Sequence, residues 1–405
     1  MNCPLIFAPK FLRMETVPTV TFTDTEVAFS YKSDRELKKA NFIFSVVNHP
    51  SISAVATGLA RVSLALHLPI KGIIRRTVFE HFCGGETAED TVKTIDKLAH
   101  HRVGAILDYS VEGEDDEPSF DKTTEEILTT FDVAKDHPSI PFCVFKMTGL
   151  ARFELLEKVH AKATLSEAES AEFERIKNRV DRICKKAYDL GVPILIDAED
   201  SWIQDPIDAI AYAMMRKYNQ EKAIVFNTYQ MYRSDMLGNL KNAFHEAAMH
   251  NHFLGVKMVR GAYMEKERER AVKMNYADPI HPSKEATDDA FNKALAFCID
   301  NKQRVSVMCG SHNEYSNQYL AVLMNKHGMR SDDKRVWFAQ LLGMSDNISF
   351  NLAKAGYNVA KYVPYGPVES VMPYLLRRAA ENTSVAGQSS RELNLIRTEL
   401  KRRKL

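Results

Sequence analysis

A chain of 405 residues that is 45% hydrophobic and 26% charged can bury a large core, which excludes disorder over its length. Its 54 basic and 53 acidic residues leave a formal charge of +1, so net charge gives no drive toward nucleic acid or an acidic membrane. The six cysteines, Cys3, Cys83, Cys143, Cys184, Cys298 and Cys309, form no CxxC pair, which excludes a zinc ribbon or thioredoxin motif and suits a reducing compartment.

Residues 1–102 carry helical patterns at 33–45, 54–66 and 88–101, read as a helical N-terminal region packed on the remainder of the chain. The most apolar long stretch, 52–70, is interrupted by Arg61 and His67 and contains Pro69, a poor membrane span. Pro4 and Pro9 stand where a targeting peptide would need an uninterrupted charged and apolar layout, so none is expected.

From residue 103 one phrase repeats: a short apolar run, a polar loop, a helical pattern. The runs are 103–111 (VGAILDYSV), 142–148 (FCVFKMT), 193–198 (PILIDA), 223–229 (AIVFNTY), 254–259 (LGVKMV), 304–308 (RVSVM), 336–341 (VWFAQL) and 359–363 (VAKYV). Such runs separated by helices are the pattern of parallel strands covered on both faces. Within a helical insertion around 151–190, Ser166 and Glu169 form a capping box, Phe173, Ile176, Val180, Ile183, Ala187 and Leu190 recur at helical spacing, and Gly191 marks the stop. Neither GxGxxG nor GxxxxGK[ST] occurs, so the α/β pattern predicts a (β/α)8 barrel over 103–405 rather than an open nucleotide-binding sheet. The acidic run 112–117 reads as a solvated loop.

Barrel enzymes build their sites at the carboxyl ends of the strands. There this sequence places Asp108, Glu112, Lys146, Asp197, Glu199, Asp200, Gln230, Lys257, Arg260, Tyr263, Ser311, His312, Asn313, Gln340 and Tyr362. Polar groups in a barrel mouth are costly unless they pair or meet a ligand, so structural ion pairs and a site are the two readings of this set. After the last strand, Tyr374, Arg378 and Glu381 share one helical face and Arg377 reaches Glu381. Adjacent arginines make a planar fork for a carboxylate or phosphate; a basic surface face with one helical salt bridge is the alternative. Two patterns are set aside. His245 and His250 lie five residues apart, about 140° around a helix, and cannot share a zinc. The run 265–270 (EKERER) reads as a solvated face of alternating charge.

The segments 374–384 (YLLRRAAENTS), 361–366 (KYVPYG), 257–263 (KMVRGAY), 278–287 (DPIHPSKEAT), 311–313 (SHN), 340–344 (QLLGM), 195–200 (LIDAED) and 106–109 (ILDY) closely resemble proline dehydrogenase, especially its monofunctional bacterial and mitochondrial form. The resemblance implies a barrel with non-covalent FAD over the strand ends, L-proline as substrate, Δ1-pyrroline-5-carboxylate as product and a quinone as electron acceptor. It implies that Arg377, Arg378 and Lys146 clamp the proline carboxylate, and that Asp108 and Glu112 gate the site. Tyr362, Leu341 and Tyr263 then wall the ring, and Asp197 lies near the isoalloxazine. Gln230, Lys257, Arg260, Lys284, Thr287, His312, Asn313 and Gln340 fall at flavin-contacting positions, and Glu381 holds the arginine helix to the site. Tyr362 stands where hydroxyproline dehydrogenases resemble serine, which favours proline. No transit peptide is recognised, so a cytoplasmic location is expected. Peripheral contact with the cytoplasmic membrane would run through the basic, amphipathic 393–405 segment unless that segment is a packed helix. Nucleic acid and metal are not expected. With no second catalytic domain after residue 405, a separate enzyme is expected to oxidise the product.

Two readings compete. A barrel lyase would use Lys146 as a Schiff-base nucleophile but leaves the arginine pair idle. A decayed barrel that only binds carboxylates would not keep polar residues at all eight strand ends.

Overall fold

The computed structural model describes residues 20–47, 72, 75–111, 115–372, 374–375 and 388–405. The expected helix at 54–66 lies outside these residues. Eight parallel strands close a barrel in chain order: β1 (Val103–Tyr109), β2 (Phe142–Lys146), β3 (Ile194–Asp197), β4 (Val225–Gln230), β5 (Leu254–Val259), β6 (Val305–Gly310), β7 (Val336–Leu341) and β8 (Val359–Tyr365), with β8 pairing back onto β1. The last strand runs two residues beyond the sequence reading. Pro364, which lacks a donor, keeps its place because its carbonyl accepts the Gly84 N–H at 2.8 Å.

Alternation along each strand divides the apolar residues into two layers. Ile106, Phe142, Val144, Leu195, Phe226, Met308, Ala360 and Tyr362 fill the barrel interior. Their neighbours Ala105, Leu107, Cys143, Phe145, Ile194, Ile196, Val307 and Val363 face the surrounding helices. The phase matters for function: the inward series continues upward into Asp108, Lys146, Asp197, Thr228, Gln230, Lys257, Leu341 and Tyr362, all of which line the mouth. A one-residue slip would turn each of them into the helix layer.

Between β2 and β3 lie the helices Phe153–His160 and Glu167–Leu190. The second starts with the complete Ser166/Glu169 capping box and stops at Gly191, whose φ of 68° is the left-handed cap that glycine adopts at low cost. The helix Glu117–Asp136 starts at Asp116, which accepts the Ser119 N–H. Glu117, expected in a solvated loop, instead ion-pairs with Arg175 at 2.6 Å and with the buried Arg179.

The 265–270 run corrects the sequence reading more sharply. On the helix Met264–Met274, Glu267 is fully buried and accepts the Ser201 N–H and hydroxyl at 2.8 and 2.5 Å. Lys266 pairs with Asp200, and Arg270 lies over the Trp202 ring while pairing with Glu157. Alternating charge here is a seam between helices, because the hydrogen-bonding partners stand 66 or more positions away in sequence and leave no local pattern. His250 of the set-aside histidine pair lies 3.5 Å from Glu246.

Helices Thr25–Ala28 and Asp34–Val47 precede the barrel, and Gln388–Arg402 is the last helix. Leu393, Leu395 and Ile396 pack against Ala28, Phe29, Leu37, Ala40 and Phe44. The apolar side of the last helix is thus covered by the chain itself, and it is the packed-helix reading of 393–405 that holds. Among the described residues no helix is long and apolar enough to cross a membrane.

Candidate active site

The strand ends and the loops after them enclose a cavity of about 650 Å³. Asp108, Lys146, Asp197, Gln230, Lys257, Arg260, Tyr263, Lys284, His312, Asn313, Gln340, Leu341 and Tyr362 all contribute to its lining. Thr287 does not; it is buried in the helix Lys284–Asp300 with its hydroxyl on the Ser283 carbonyl. Glu112, Arg377, Arg378 and Glu381 lie outside the described residues.

Among the described residues, the lysines and arginines that line the cavity are matched with carboxylates. Lys146 meets Asp108 at 3.4 Å, a long contact, with the acid almost fully buried. Lys257 donates to Asp197 at 2.5 Å and stands 4.4 Å over the Tyr362 ring, whose hydroxyl is 3.5 Å from the same Asp197 oxygen. Burial first, and Asp197 second, hold the Tyr362 hydroxyl protonated well above the ordinary phenol range. Arg260 donates to Asp288, Ser311 Oγ and Ser316 Oγ at 2.7, 2.8 and 2.9 Å, which fixes its plane; Lys284 reaches the other Asp288 oxygen at 2.6 Å.

Two helices begin at this rim. Ser283 caps Lys284–Asp300 and Asn313 caps Glu314–Lys326 through the Ser316 N–H. Helix N-termini beside Arg260 and Lys284 make this wall suited to anionic oxygens. Leu341, Met344 and the Tyr362 ring give the lining an apolar part, which Lys257 meets at the Tyr362 ring face.

Several predicted residues act as supports. Gln230 donates to the Glu199 carbonyl at 2.7 Å. Gln340 is out of phase with Leu341, so its amide works behind the wall, donating to Ser311 O and accepting from the Ser349 hydroxyl. His312 Nδ1 lies 2.9 Å from Ser345 Oγ.

Met344, Tyr374 and Arg391 also line the cavity, and sequence reasoning misses them as site residues; Tyr374 stands out there only as a helix neighbour of the arginines. Glu199, at the β3 end, accepts the Thr148 N–H and hydroxyl, and burial pushes its carboxyl up to about 7. Met344 and Arg391 carry no periodic signal, since the folding of distant loops brings them to the rim.

Among the lining residues there is no cysteine. Cys143 and Cys309, on strands, are fully buried, and burial pushes each thiol up to about 12. The geometry therefore favours binding and orienting an anion beside a flat apolar wall, without a thiolate nucleophile.

Residues 91–391 match the family model described as Proline dehydrogenase. The chain is 32% identical to "Proline dehydrogenase 1, mitochondrial" of Dictyostelium discoideum over 429 residues, covering 94% of this chain and 74% of that protein. It is also 32% identical to "Hydroxyproline dehydrogenase" of Xenopus laevis, covering 95% and 90%. Proline utilization A from Bdellovibrio bacteriovorus superposes with a TM-score of 0.70 at 18% identity, over 90% of this chain and 37% of that longer one, a likeness of fold.

Proposed function

The chain belongs to the proline dehydrogenase family of oxidoreductases, and on that premise we propose that it oxidises L-proline to Δ1-pyrroline-5-carboxylate with FAD as resident cofactor and a quinone as acceptor. The observation that carries the reading is the division of one cavity into a cationic wall with two helix N-termini and an apolar wall ending in Tyr362. A dinucleotide with two phosphates and a flat ring system fits that donor set. Arg260, Lys284 and Asn313 would hold its polar part, and Lys257 and Asp197 would lie along its ring. When bound, FAD accepts hydride from the ring carbon beside the proline nitrogen.

What remains for the protein is position. Lys146, at its long contact with Asp108, supplies one charge for the substrate carboxylate. Arg377 and Arg378 would complete the clamp. Tyr374 and Arg391 both line the cavity, so the chain enters and leaves the 376–387 segment at the rim. Tyr362 closes the apolar side where a 4-hydroxyl would project, which selects proline by exclusion. The Gln388–Arg402 helix buries its apolar side, so any approach to a quinone-bearing membrane uses another surface.

The test is the visible spectrum of the purified protein. A flavin band, present on isolation or after adding FAD, should bleach with L-proline in the absence of oxygen and respond far less to trans-4-hydroxy-L-proline. A protein that takes up no FAD, or a bound flavin that proline leaves oxidised, would end the proposal.

A further inference from the structure

Lys361 lies on β8 between Ala360 and Tyr362, both of which point into the barrel, so its own side chain is directed outward into the helix layer. There it is completely buried. An ammonium has three protons to donate. The acceptors within reach are the Asp346 carboxylate at 2.9 Å, the Met344 carbonyl at 2.5 Å and the Leu341 carbonyl at 3.3 Å. Leu341 ends β7, Met344 lies in the loop that follows and Asp346 begins the helix Asp346–Lys354, and Leu341 and Met344 both line the cavity.

The same loop is held from three further directions. Asp346 also receives the Tyr31 hydroxyl at 2.8 Å and Lys32 at 3.2 Å, from the turn before Asp34–Val47. Glu392, on the last helix, accepts the Ser345 N–H at 2.9 Å. His81 donates to the Gly343 carbonyl at 3.1 Å. Ser345 has φ of 50°, a left-handed conformation strained for a serine, which persists only where the surroundings hold it. Its hydroxyl meets His312, which lines the cavity.

Buried ionic clusters are poor stabilisers, because desolvation offsets most of their attraction, and an apolar residue at 361 would pack at lower cost. What an apolar residue lacks is the ability to fix two carbonyls at set positions. We propose that Lys361 is a positioning residue for the oxidation reaction: by holding Leu341, Met344 and Asp346, on both sides of Ser345, it sets the width of the apolar wall and the placement of His312. The inference rests on the reading of this cavity as the proline site.

The experiment compares wild type, Lys361→Met and the double variant Lys361→Met/Asp346→Asn, each loaded with FAD. Met leaves Asp346 with one cation fewer. Adding Asn removes the remaining Asp346–Lys32 ion pair while still accepting from Tyr31, so the double variant shifts thermal stability again without giving position 361 a donor. In both variants the side chain at 361 no longer donates, so the Met344 carbonyl loses the Lys361 ammonium and the Leu341 carbonyl keeps only the Met344 N–H at 3.2 Å. The expected result is KM for proline raised roughly tenfold or more in both variants, with kcat changed far less, and KM not following stability. If KM stays at the wild-type value in Lys361→Met, or returns to it in the double variant, Lys361 serves the fold alone and the proposal is overturned. Wild-type bleaching by proline is read in the same experiment; its absence would indict the functional reading, not the role of Lys361.

Discussion

On the proposed reading Lys146 meets the substrate carboxylate, and its replacement by methionine then has a calculable consequence. At an effective dielectric of about 20, two unit charges about 4 Å apart interact by roughly 4 kcal/mol. Lys146 retains some exposure and already faces Asp108, so the net loss on removing it is nearer 2 kcal/mol at the low end, or about 30-fold in affinity. The loss has two parts: the attraction disappears, and Asp108, almost fully buried, is left to repel the incoming carboxylate. Removing that acid too should return part of the affinity, so Lys146→Met/Asp108→Asn should bind proline more tightly than Lys146→Met. The assay is anaerobic titration of the flavin band with L-proline for all three proteins. Half-bleaching of Lys146→Met within about threefold of wild type, or a double variant weaker than the single one, would refute the electrostatic account.

Tyr362→Ser opens the apolar wall and should raise kcat/KM for trans-4-hydroxy-L-proline relative to proline by roughly tenfold or more, measured with both substrates in one assay. Burial, followed by the charge of Lys32, pushes the His81 imidazole down to about 3 from an ordinary 6.5. A base whose pKa is depressed on folding stabilises the native state above pH 6.5 and loses that contribution as pH falls. His81→Gln, which can still donate to Gly343, should therefore remove about 2 kcal/mol of the stability lost between pH 7.5 and pH 5 in denaturant titrations. Glu267→Ala takes the acceptor from the half-buried Ser201 N–H and hydroxyl and should cost about 1–3 kcal/mol in the same measurement.

The barrel was legible because each strand is an apolar run with a helix after it, and the starts of β1, β2, β5, β7 and β8 fall where those runs begin. The phase of the strands was less so. Where both faces are buried, the inward and outward layers take the same residue types, and Lys361 does not announce that it points away from the cavity. The polar strand ends Asp108, Lys146, Asp197 and Lys257 were legible as a group, since charge interrupting an apolar run needs a reason. Their pairing was not: Lys257 and Asp197 are 60 positions apart, and Lys146 and Asp108 are 38. Glu267 shows the same gap from the other side, a charge in a charged run that folding removes from water altogether.

The pairing of the cavity's cations also explains how such a site can bind a small zwitterion quickly and reversibly. A lone buried ammonium would have to be stripped of water before substrate arrived, at a cost of several kcal/mol. Lys146, Lys257, Arg260 and Lys284 instead each rest against an acid of the protein. An incoming carboxylate or phosphate then exchanges one acceptor for another, and part of the affinity gained from charge is offset by the acid it displaces. Discrimination must come from shape and placement, which is why the uncharged side of the cavity has to be rigid. A wall of Leu341, Met344 and Tyr362 can exclude a 4-hydroxyl only if it does not give way, and its backbone is held by Lys361, His81 and Glu392 on the side away from the substrate. The charges that govern selectivity are then the ones the substrate never touches.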